Sequence, residues 1–324
     1  MTEILLPWRR LSFPVDWEDV FSAGGPLHVE VGFGDGRFTV RRAVEQPGGR
    51  FVGLEVSSGS VQRALRGIRR AGVSNVRVAK VGAQFALRQL FAAGSVESIV
   101  VNFPDPWPKA RHEKNRLLGP KFLRLAASRL VPTGEIRLAT DHPDYLEFAT
   151  RSAAESGLYD ELRPEPPEAV FETKYALKWR GQGKPLDYVV FRRNAQAAPE
   201  YDHLERPTDM PHALLRGTLP ATATLGKSVS EHGGGHVILH EAAAVLPADP
   251  DRARGRWLVR ATVDEPDIKQ QLLVLIEQRS MEEVIVRLET FGDPVVTPAV
   301  RGAVHEVAEW LGRETDLEVA ARNY

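Results

Sequence analysis

The chain reads Val101-Asn102-Phe103-Pro104-Asp105-Pro106-Trp107-Pro108-Lys109 at the end of a short, mostly apolar run over residues 96–101. Such a run is typical of a buried strand. Proline fixes φ and has no backbone N–H, so a central strand cannot continue through this proline-rich segment and the chain must turn rigidly. In open α/β sheets, ligands bind at the carboxyl ends of the strands. The segment therefore predicts a stiff loop that holds Asp105 at a ligand-binding edge; a plain surface turn is the structural alternative.

Strand-like and helix-like segments alternate on both sides of this loop. The predicted strands cover residues 27–31, 51–56, 76–78, 99–101, 136–139 and 188–191. The predicted helices cover residues 37–45, 60–71, 83–91, 121–130 and 144–155. This alternation predicts an α/β fold, in which helices cover both faces of a largely parallel sheet.

The alternation stops near residue 195, and 324 residues are more than one hydrophobic core usually serves. Residues 196–226 contain four prolines and show no clear periodicity, which is typical of a linker. Beyond them, segments 237–239, 257–263 and 284–288 are strand-like, and segments 267–278 and 303–311 are helix-like. We predict a first domain over 1–195, a linker over 196–226 and a small α+β domain over 227–324.

The composition excludes several classes of protein and site. The chain has no cysteine, which excludes a disulfide framework, a thiolate nucleophile and a cysteine-ligated zinc site. No apolar run approaches the ~20 residues of a membrane span, and the N-terminal segment does not resemble a signal peptide. We therefore expect a cytoplasmic protein without a membrane partner. His236 and His240 lie too far apart on a strand-like segment for easy joint ligation, so we expect no metal.

The net charge of −1 hides an asymmetry between the two halves of the chain. Residues 1–195 contain 29 Lys+Arg and 22 Asp+Glu, whereas residues 196–324 contain 13 and 21, giving +7 and −8. The first part could attract a polyanion. Within it, Arg63, Arg66 and Arg70 share one face of a predicted helix. That face is either a polyanion-binding surface or an ordinary solvated one.

A glycine-rich turn, Glu30-Val31-Gly32-Phe33-Gly34-Asp35-Gly36, joins the first strand to the first helix. Glycines at alternate positions let the backbone turn tightly and approach a ligand closely. The dinucleotide fingerprint G-x-G-x-x-G would need a third glycine where Arg37 stands. Glu55 ends the second strand, where an acid can accept hydrogen bonds from ribose hydroxyls. Together the turn and this acid favour an adenosine-containing ligand over a plain tight turn.

These motifs resemble those of the bacterial tRNA (guanine-N7)-methyltransferases, which have a Rossmann-like domain that binds S-adenosylmethionine. The resemblance covers about residues 25–193 and is most specific over residues 104–116. Further matching segments are residues 30–34, 53–56, 140–141 and 171–175. The resemblance implies a Rossmann-like methyltransferase sheet with flanking helices, and transfer of a methyl group from S-adenosylmethionine to N7 of a guanosine in tRNA, in the variable loop.

The resemblance also implies a role for individual residues. Asp105 would be the catalytic carboxylate and would lie against the cofactor. The other cofactor-binding positions would be Glu30, Gly32, Gly34, Glu55 and Gly82. The guanosine would be bound by Lys109, Asp141, Thr173, Lys174, Tyr175 and Ala176. RNA would contact Arg111, His112, Lys114 and Arg116. We expect Lys121 and a second basic run, Lys174, Lys178, Arg180 and Lys184 around Trp179, to extend this surface.

The sequence departs from the family pattern at two positions. Gly82 stands where the family usually has an acidic residue, and Ala176 replaces the glutamate of its T-x-[FY]-E motif. Glu172 or Asp187 could substitute for that glutamate. One alternative is therefore an RNA-binding, methyltransferase-like protein with weak or lost catalysis. Another is an exocyclic-amine methyltransferase, since residues 102–105 are similar to an Asn-Pro-Pro-aromatic loop, although the order differs.

Overall fold

A computed structural model describes residues 3–173, 176–177, 186–246 and 255–324. The chain divides into two compact units, Met1–His203 and Leu204–Tyr324. The structure confirms the predicted class of the first unit, an α/β sheet with flanking helices. It also confirms a second, smaller unit that contains both sheet and helix.

The first unit alternates strands and helices along the chain. Its strands are β1 (Leu27–Val31), β2 (Arg50–Glu55), β3 (Val76–Lys80), β4 (Val96–Asn102), β5 (Leu130–Thr140), β6 (Tyr159–Leu162) and β7 (Asp187–Arg193). Its helices are α1 (Trp17–Phe21), α2 (Arg37–Glu45), α3 (Ser58–Ala71), α4 (Ala83–Gln89), α5 (Pro120–Arg129), α6 (Pro143–Ser156) and α7 (Glu168–Phe171). Two 3-10 helices, Trp8–Arg10 and Ala110–Asn115, complete the described elements.

The strand order in this sheet is β3-β2-β1-β4-β5-β7-β6. Strands β1 to β5 are parallel, whereas β7 runs antiparallel to both β5 and β6. The chain builds the sheet outward from β1 to β3 and then returns, so that β4 pairs with the other side of β1. Ligands bind at such a reversal, beyond the carboxyl ends of the strands on either side of it. In this chain, the ends of β1 and β4 carry the glycine-rich turn and the Asp105 loop.

Both faces of the central strands are buried, which explains their nearly continuous apolar sequence. Val29, Val52, Val76 and Ile99 are each at most 1% exposed. The helices form two groups that pack among themselves, α2 with α3 and α7, and α5 with α4 and α6. This arrangement places a helical layer against each face of the sheet.

The second unit is an antiparallel sheet with one described helix packed on it. Its strands are β8 (His212–Arg216), β9 (Ser228–His232), β10 (Gly235–Ala244), β11 (Arg256–Asp264), β12 (Lys269–Ser280), β13 (Glu283–Leu288) and β14 (Glu318–Asn323), and its helix is α8 (Pro298–Glu314). The strand order is β14-β8-β13-β12-β11-β10-β9. Buried side chains of the sheet and of α8 form a core in which the Trp257 and Trp310 ring centroids lie 6.2 Å apart.

Two predictions for this unit differ from the structure. The helix predicted over residues 267–278 is wrong, because these residues lie largely in β12, paired with β11 and β13. The segment is rich in leucine and glutamine, which favour helices, but on one face Gln270, Leu272, Val274 and Ile276 alternate into the core at the strand period of two. The predicted linker over residues 196–226 contains β8, and the two units divide earlier, between His203 and Leu204.

Two histidines around the predicted 236–240 segment, His232 and His240, contact other side chains of the second unit. The His232 Nε2 atom lies 2.8 Å from a Glu306 carboxylate oxygen, and His240 Nε2 lies 2.7 Å from the Thr262 hydroxyl. Among the described residues, no group of three or more histidine, aspartate or glutamate side chains could hold a metal ion. No helix in the described part of the chain is long and apolar enough to cross a membrane.

Candidate active site

A cleft of about 470 Å³ opens at the carboxyl ends of β1, β2 and β4. It joins the glycine-rich turn, Glu55 and the Asp105 loop in one continuous space. Its lining also includes Thr173, which lies far from these residues in sequence. The lining residues are Glu30, Val31, Gly32, Phe33, Gly34, Asp35, Arg37, Phe38, Leu54, Glu55, Val56, Ser60, Arg63, Val81, Ala83, Val101, Asn102, Phe103, Pro104, Asp105, Trp107, Asn115, Leu117 and Thr173.

The glycine-rich turn needs glycine for two different reasons. Gly32 and Gly34 adopt φ angles of 72° and 59°, which L-residues with side chains rarely adopt, and a Cβ built on either would enter open space. Gly36 has φ 81°, and a Cβ there would lie 2.8 Å from the Ala64 Cβ of α3. The first two glycines therefore leave a bare backbone cradle, and the third allows α3 to pack closely against the turn.

Glu30 is buried at the floor of the cleft, with 6% of its surface exposed. One carboxylate oxygen accepts a hydrogen bond from the Thr39 hydroxyl, and the other accepts one from the Asn102 amide at 3.3 Å. Burial raises the pKa of Glu30 to about 7, although both hydrogen bonds act in the opposite direction. The carboxyl can therefore gain or lose a proton near neutral pH.

Glu55 ties the end of β2 to the glycine-rich turn. One oxygen accepts a hydrogen bond from the Gly34 N–H at 3.2 Å. The other accepts bonds from the N–H groups of Val56 and Ser57, at 2.8 and 3.0 Å. These three donors fix the carboxylate at the rim of the cleft, and a carboxylate has lone pairs left to accept further hydrogen bonds from a ligand.

The Asp105 loop leaves the sheet through a strained backbone. Phe103 and Trp107 both adopt positive φ angles, 52° and 43°, which are uncommon for residues other than glycine. The Phe103 N–H still donates to the Ala139 carbonyl at 2.8 Å, so the ladder between β4 and β5 reaches the start of the loop. Asp105 itself is exposed at the cleft, where its carboxylate can meet a ligand.

The Arg116 side chain is buried and holds this loop through hydrogen bonds. Contrary to the sequence-based prediction, it is not placed to contact RNA. Only 5% of its side chain is exposed. The guanidinium donates to the carbonyl of Pro106 at 2.9 Å, to that of Asp144 at 3.1 Å and, at 3.5 Å, to that of Trp107. It also lies 5.2 Å from the centre of the Phe148 ring. Because arginine is hydrophilic and stands in a basic run, the sequence alone favours an exposed side chain; the burial comes from the packing of α6.

The other predicted RNA-contacting residues remain near the surface. Arg111 and Lys114 are exposed, and both belong to the 3-10 helix Ala110–Asn115 beside the Asp105 loop. His112 is half-buried, and its ring meets that of Trp107 edge to face, with the centroids 5.7 Å apart.

The predicted guanosine-binding residues do not all come together at the cleft. Thr173 lines it, whereas Lys109 and Asp141 are not among its described lining residues. Ala176 is buried, and its N–H donates to the Thr173 hydroxyl at 3.2 Å. Lys174, Tyr175 and the rest of the second basic run, over residues 178–184, lie outside the described residues.

Gly82, the position where the family usually has an acid, is the N-cap residue of α4. Its carbonyl accepts a hydrogen bond from the Ala86 N–H at 2.9 Å, and its neighbours Val81 and Ala83 line the cleft. Of the two suggested substitutes for the missing glutamate, Glu172 forms an ion pair with Arg41 at 3.8 Å. Asp187 lies opposite Thr140 in the pairing of β7 with β5.

Several residues of the site were missed by the sequence analysis. Thr39 and Asn102 surround Glu30, and Asn115 lines the cleft. Asn102 could have been found, since it is the last residue of β4 and thus lies at the ligand-binding edge. Thr39 had no such signal, because a threonine in the first turn of a helix usually serves only the helix.

Comparison with known proteins agrees with this geometry. Residues 24–187 match the family described as "Putative methyltransferase". A tRNA (guanine-N(7)-)-methyltransferase of Thermus thermophilus is 40% identical over 309 residues, which cover 95% of this chain and 96% of the relative. One of Deinococcus radiodurans is 40% identical over 299 residues, 88% of this chain and 89% of the relative. The chain belongs to the tRNA (guanine-N7)-methyltransferase family.

Members of the tRNA (guanine-N7)-methyltransferase family differ in length. A relative from Geobacter metallireducens is 32% identical over 207 residues, which are 61% of this chain but 98% of the relative. The matched part of this chain thus corresponds to almost the whole of that protein. The match with the Thermus relative extends over 95% of this chain and so includes most of the second unit.

Proposed function

We propose that this protein transfers the methyl group of S-adenosylmethionine to N7 of a guanosine in tRNA, at a position in the variable loop. The observation that carries the proposal is the single cleft that joins the glycine-rich turn, Glu55 and Asp105. The names of the relatives from Thermus and Deinococcus support the same reaction. The family resemblance alone supports the variable loop.

The residues of the cleft fit S-adenosylmethionine. Gly32 and Gly34 leave open space beside the backbone, which a side chain would fill. The Asn102 Oδ1 atom is buried and has no hydrogen-bond partner among the described residues, so it can accept from a donor of the ligand. We assign Glu55 to the ribose hydroxyls and Glu30 to the cationic amino group, which favours the ionised form of the Glu30 carboxyl. When bound, S-adenosylmethionine supplies a methyl group on a sulfonium, which is a good leaving group.

The protein needs to position the guanine more than to activate it. Guanine N7 carries a free lone pair and has no proton to lose, so no general base is required for its attack. Holding the two reactants in line replaces a slow bimolecular encounter. As the reaction proceeds, positive charge develops on the guanine ring. We assign Asp105 to stabilise this charge and to accept hydrogen bonds from guanine N–H groups.

The exposed cations that we assign to tRNA binding at this side of the cleft lie beside the Asp105 loop. Arg111 and Lys114 are exposed there, and phosphate contacts from such cations make affinity fall with salt. The edge-to-face contact between His112 and Trp107 holds the exposed face of the indole next to the cleft. We assign Trp107 to stack on the guanine base.

The two departures from the family pattern are compatible with activity. At Gly82 the adenine would lie against the apolar residues Val81 and Ala83 instead of an acid. At Ala176 the short side chain is buried, and Thr173 remains at the cleft. Residues at both ends of the site therefore stay available for ligand contacts.

Incubation with tRNA and labelled S-adenosylmethionine, followed by nucleoside analysis, tests the proposal. We expect 7-methylguanosine as the labelled product. Label on an exocyclic amine would instead identify the alternative methyltransferase. Binding of tRNA without any binding of S-adenosylmethionine in calorimetry would identify a protein that has lost catalysis.

A further inference from the structure

The chain carries an unusually one-sided distribution of charge around α3. Between Glu55 and Glu97 it has seven Lys+Arg and no acidic residue. Four of these cations, Arg63, Arg66, Arg69 and Arg70, belong to α3 (Ser58–Ala71), and all four are exposed. The segment is therefore positive without local compensation.

The amphipathic pattern of α3 places these arginines on the face that points away from the sheet. Val61, Ala64, Leu65 and Ile68 are buried and pack against β2 and β3. Residues three and four apart lie above one another on a helix, so Arg63, Arg66 and Arg70 form one row. We call this row the α3 strip.

The arginines of the α3 strip differ from two other exposed arginines of the same unit. On the neighbouring α2, Arg41 pairs with Glu45 at 2.6 Å, and in the loop after β6 Arg163 pairs with Glu161 at 2.5 Å. Within the described residues, neither Arg66 nor Arg70 has a carboxylate within 4.0 Å. Like charges three and four residues apart destabilise a helix. The helix dipole offsets this for Arg70 in the last turn but not for Arg63 and Arg66.

The α3 strip begins at the cleft. Arg63 and Ser60 line it, and the Arg63 guanidinium donates to the Ser60 hydroxyl at 3.0 Å. Since a helix rises about 1.5 Å per residue, Arg66 and Arg70 follow about 5 and 10 Å further along the axis. Arg111 and Lys114 lie at the opposite end of the cleft, beside the Asp105 loop. Positive charge therefore borders the cleft on both the β2 side and the β4 side.

We propose that the α3 strip binds the phosphate backbone of the tRNA whose guanosine enters the cleft. This inference rests on the proposed function. A guanidinium matches a phosphate in both charge and bidentate geometry. A membrane surface fits less well, because none of the large exposed apolar residues of the described chain lies in α3, whereas a membrane-binding helix needs them.

Arg66→Gln/Arg70→Gln tests the α3 strip without touching a cleft-lining residue. The matched control is Arg216→Gln/Arg313→Gln, which removes two exposed arginines from the second unit. For each protein, tRNA affinity is measured between about 50 and 200 mM salt, together with steady-state methylation and S-adenosylmethionine affinity. We expect the strip variant to bind tRNA about tenfold more weakly, with its salt dependence reduced by roughly 1.5 in slope, since each phosphate contact contributes about 0.7–0.9.

The same variant should raise KM for tRNA while kcat and the Kd for S-adenosylmethionine stay at wild-type values. An unchanged tRNA affinity and salt slope would overturn the proposal, as would an equal loss in the control variant, which would indicate a bulk charge effect. A parallel loss of S-adenosylmethionine affinity would also overturn it, because it would show that the arginines support the fold of the cleft. Absence of methylation by the wild-type protein would instead contradict the proposed function.

Discussion

The two sides of the cleft hold their functional groups in different ways. On the side that we assign to the cofactor, Glu30 and Glu55 stand at strand ends, and each is fixed by hydrogen bonds to its own carboxylate. On the side that we assign to the guanosine, the Asp105 carboxylate has no hydrogen bond from a described residue, and the backbone around it is held instead. A small ligand can thus be met by a rigid, built-in set of groups. The proposed tRNA substrate would meet an exposed loop whose backbone is held by the buried Arg116 side chain.

Removing the Asp105 carboxylate should produce the largest change in turnover. It should lower methyl transfer while leaving cofactor binding intact, which distinguishes the two sides of the cleft. We expect Asp105→Ala to lower kcat about 10²–10³-fold, because a preorganised group that stabilises transition-state charge is lost. The Kd for S-adenosylmethionine and the melting temperature should stay near wild type. Single-turnover methylation and calorimetry measure the two quantities. Glu147→Ala, an exposed carboxylate of α6, is the control. Turnover close to wild type would remove Asp105 from the mechanism.

Arg116→Met should show that turnover depends on the hydrogen bonds that hold the Asp105 loop. The substitution leaves the carbonyls of Pro106 and Trp107 without their donor, so we expect about a tenfold lower kcat and a loss of about 1–3 kcal/mol of stability. Arg116→Lys should recover part of kcat, since it keeps the charge. Arg111→Met is the matched control, and because Arg111 is exposed it should raise KM for tRNA without changing stability. If the two methionine variants behave alike, Arg116 does not position the loop.

Gly34→Ala should weaken S-adenosylmethionine binding. Its φ of 59° disfavours alanine by about 1 kcal/mol, and the new methyl group would occupy the open space of the cradle. We expect roughly tenfold weaker S-adenosylmethionine binding. Gly94→Ala is the control for strain, because Gly94 has φ 61° and a Cβ there also meets nothing within 4 Å, but it does not line the cleft. Equal S-adenosylmethionine affinities of the two variants would contradict this use of Gly34.

The proton on Glu30 should make the stability of the protein depend on pH. The pKa of this carboxyl is about 7 in the folded protein and near 4.5 when unfolded, so the folded state binds the extra proton between these values. The stability contribution is therefore present below pH 4.5 and is lost as the pH rises through about 7. Glu30→Gln should flatten this part of the profile in thermal melts. A variant whose melting temperature follows the wild-type pH dependence would assign the titration to another group.

Much of the cleft could be predicted from the sequence because its parts carry local signals. Glycines 32 and 34, the acid at the end of β2 and the prolines around Asp105 each constrain the backbone where they stand. Arg116 could not be placed in this way. Whether an arginine is exposed depends on which side chains of α6 lie over it, and that packing has no signature in the residues next to it.

In the second unit, local sequence also failed to predict part of the secondary structure. Residues 272–276 are apolar throughout, which fits a buried helix as well as a strand, since neither period can be recognised in an unbroken run. Pairing with β11 and β13 decides in favour of the strand. The strand β8 was missed for a related reason, because five residues between prolines carry too little pattern to stand out from a linker.

The two positive φ angles at Phe103 and Trp107 have an entropic consequence for Asp105. A loop free to sample many conformations would lose that freedom each time a guanosine arrived, and binding would be weaker by that amount. Here the stiff corners and prolines on either side of Asp105 restrict its backbone once, when the chain folds. In the proposed reaction, the Asp105 carboxylate thus meets the guanosine with little ordering of its backbone left to do.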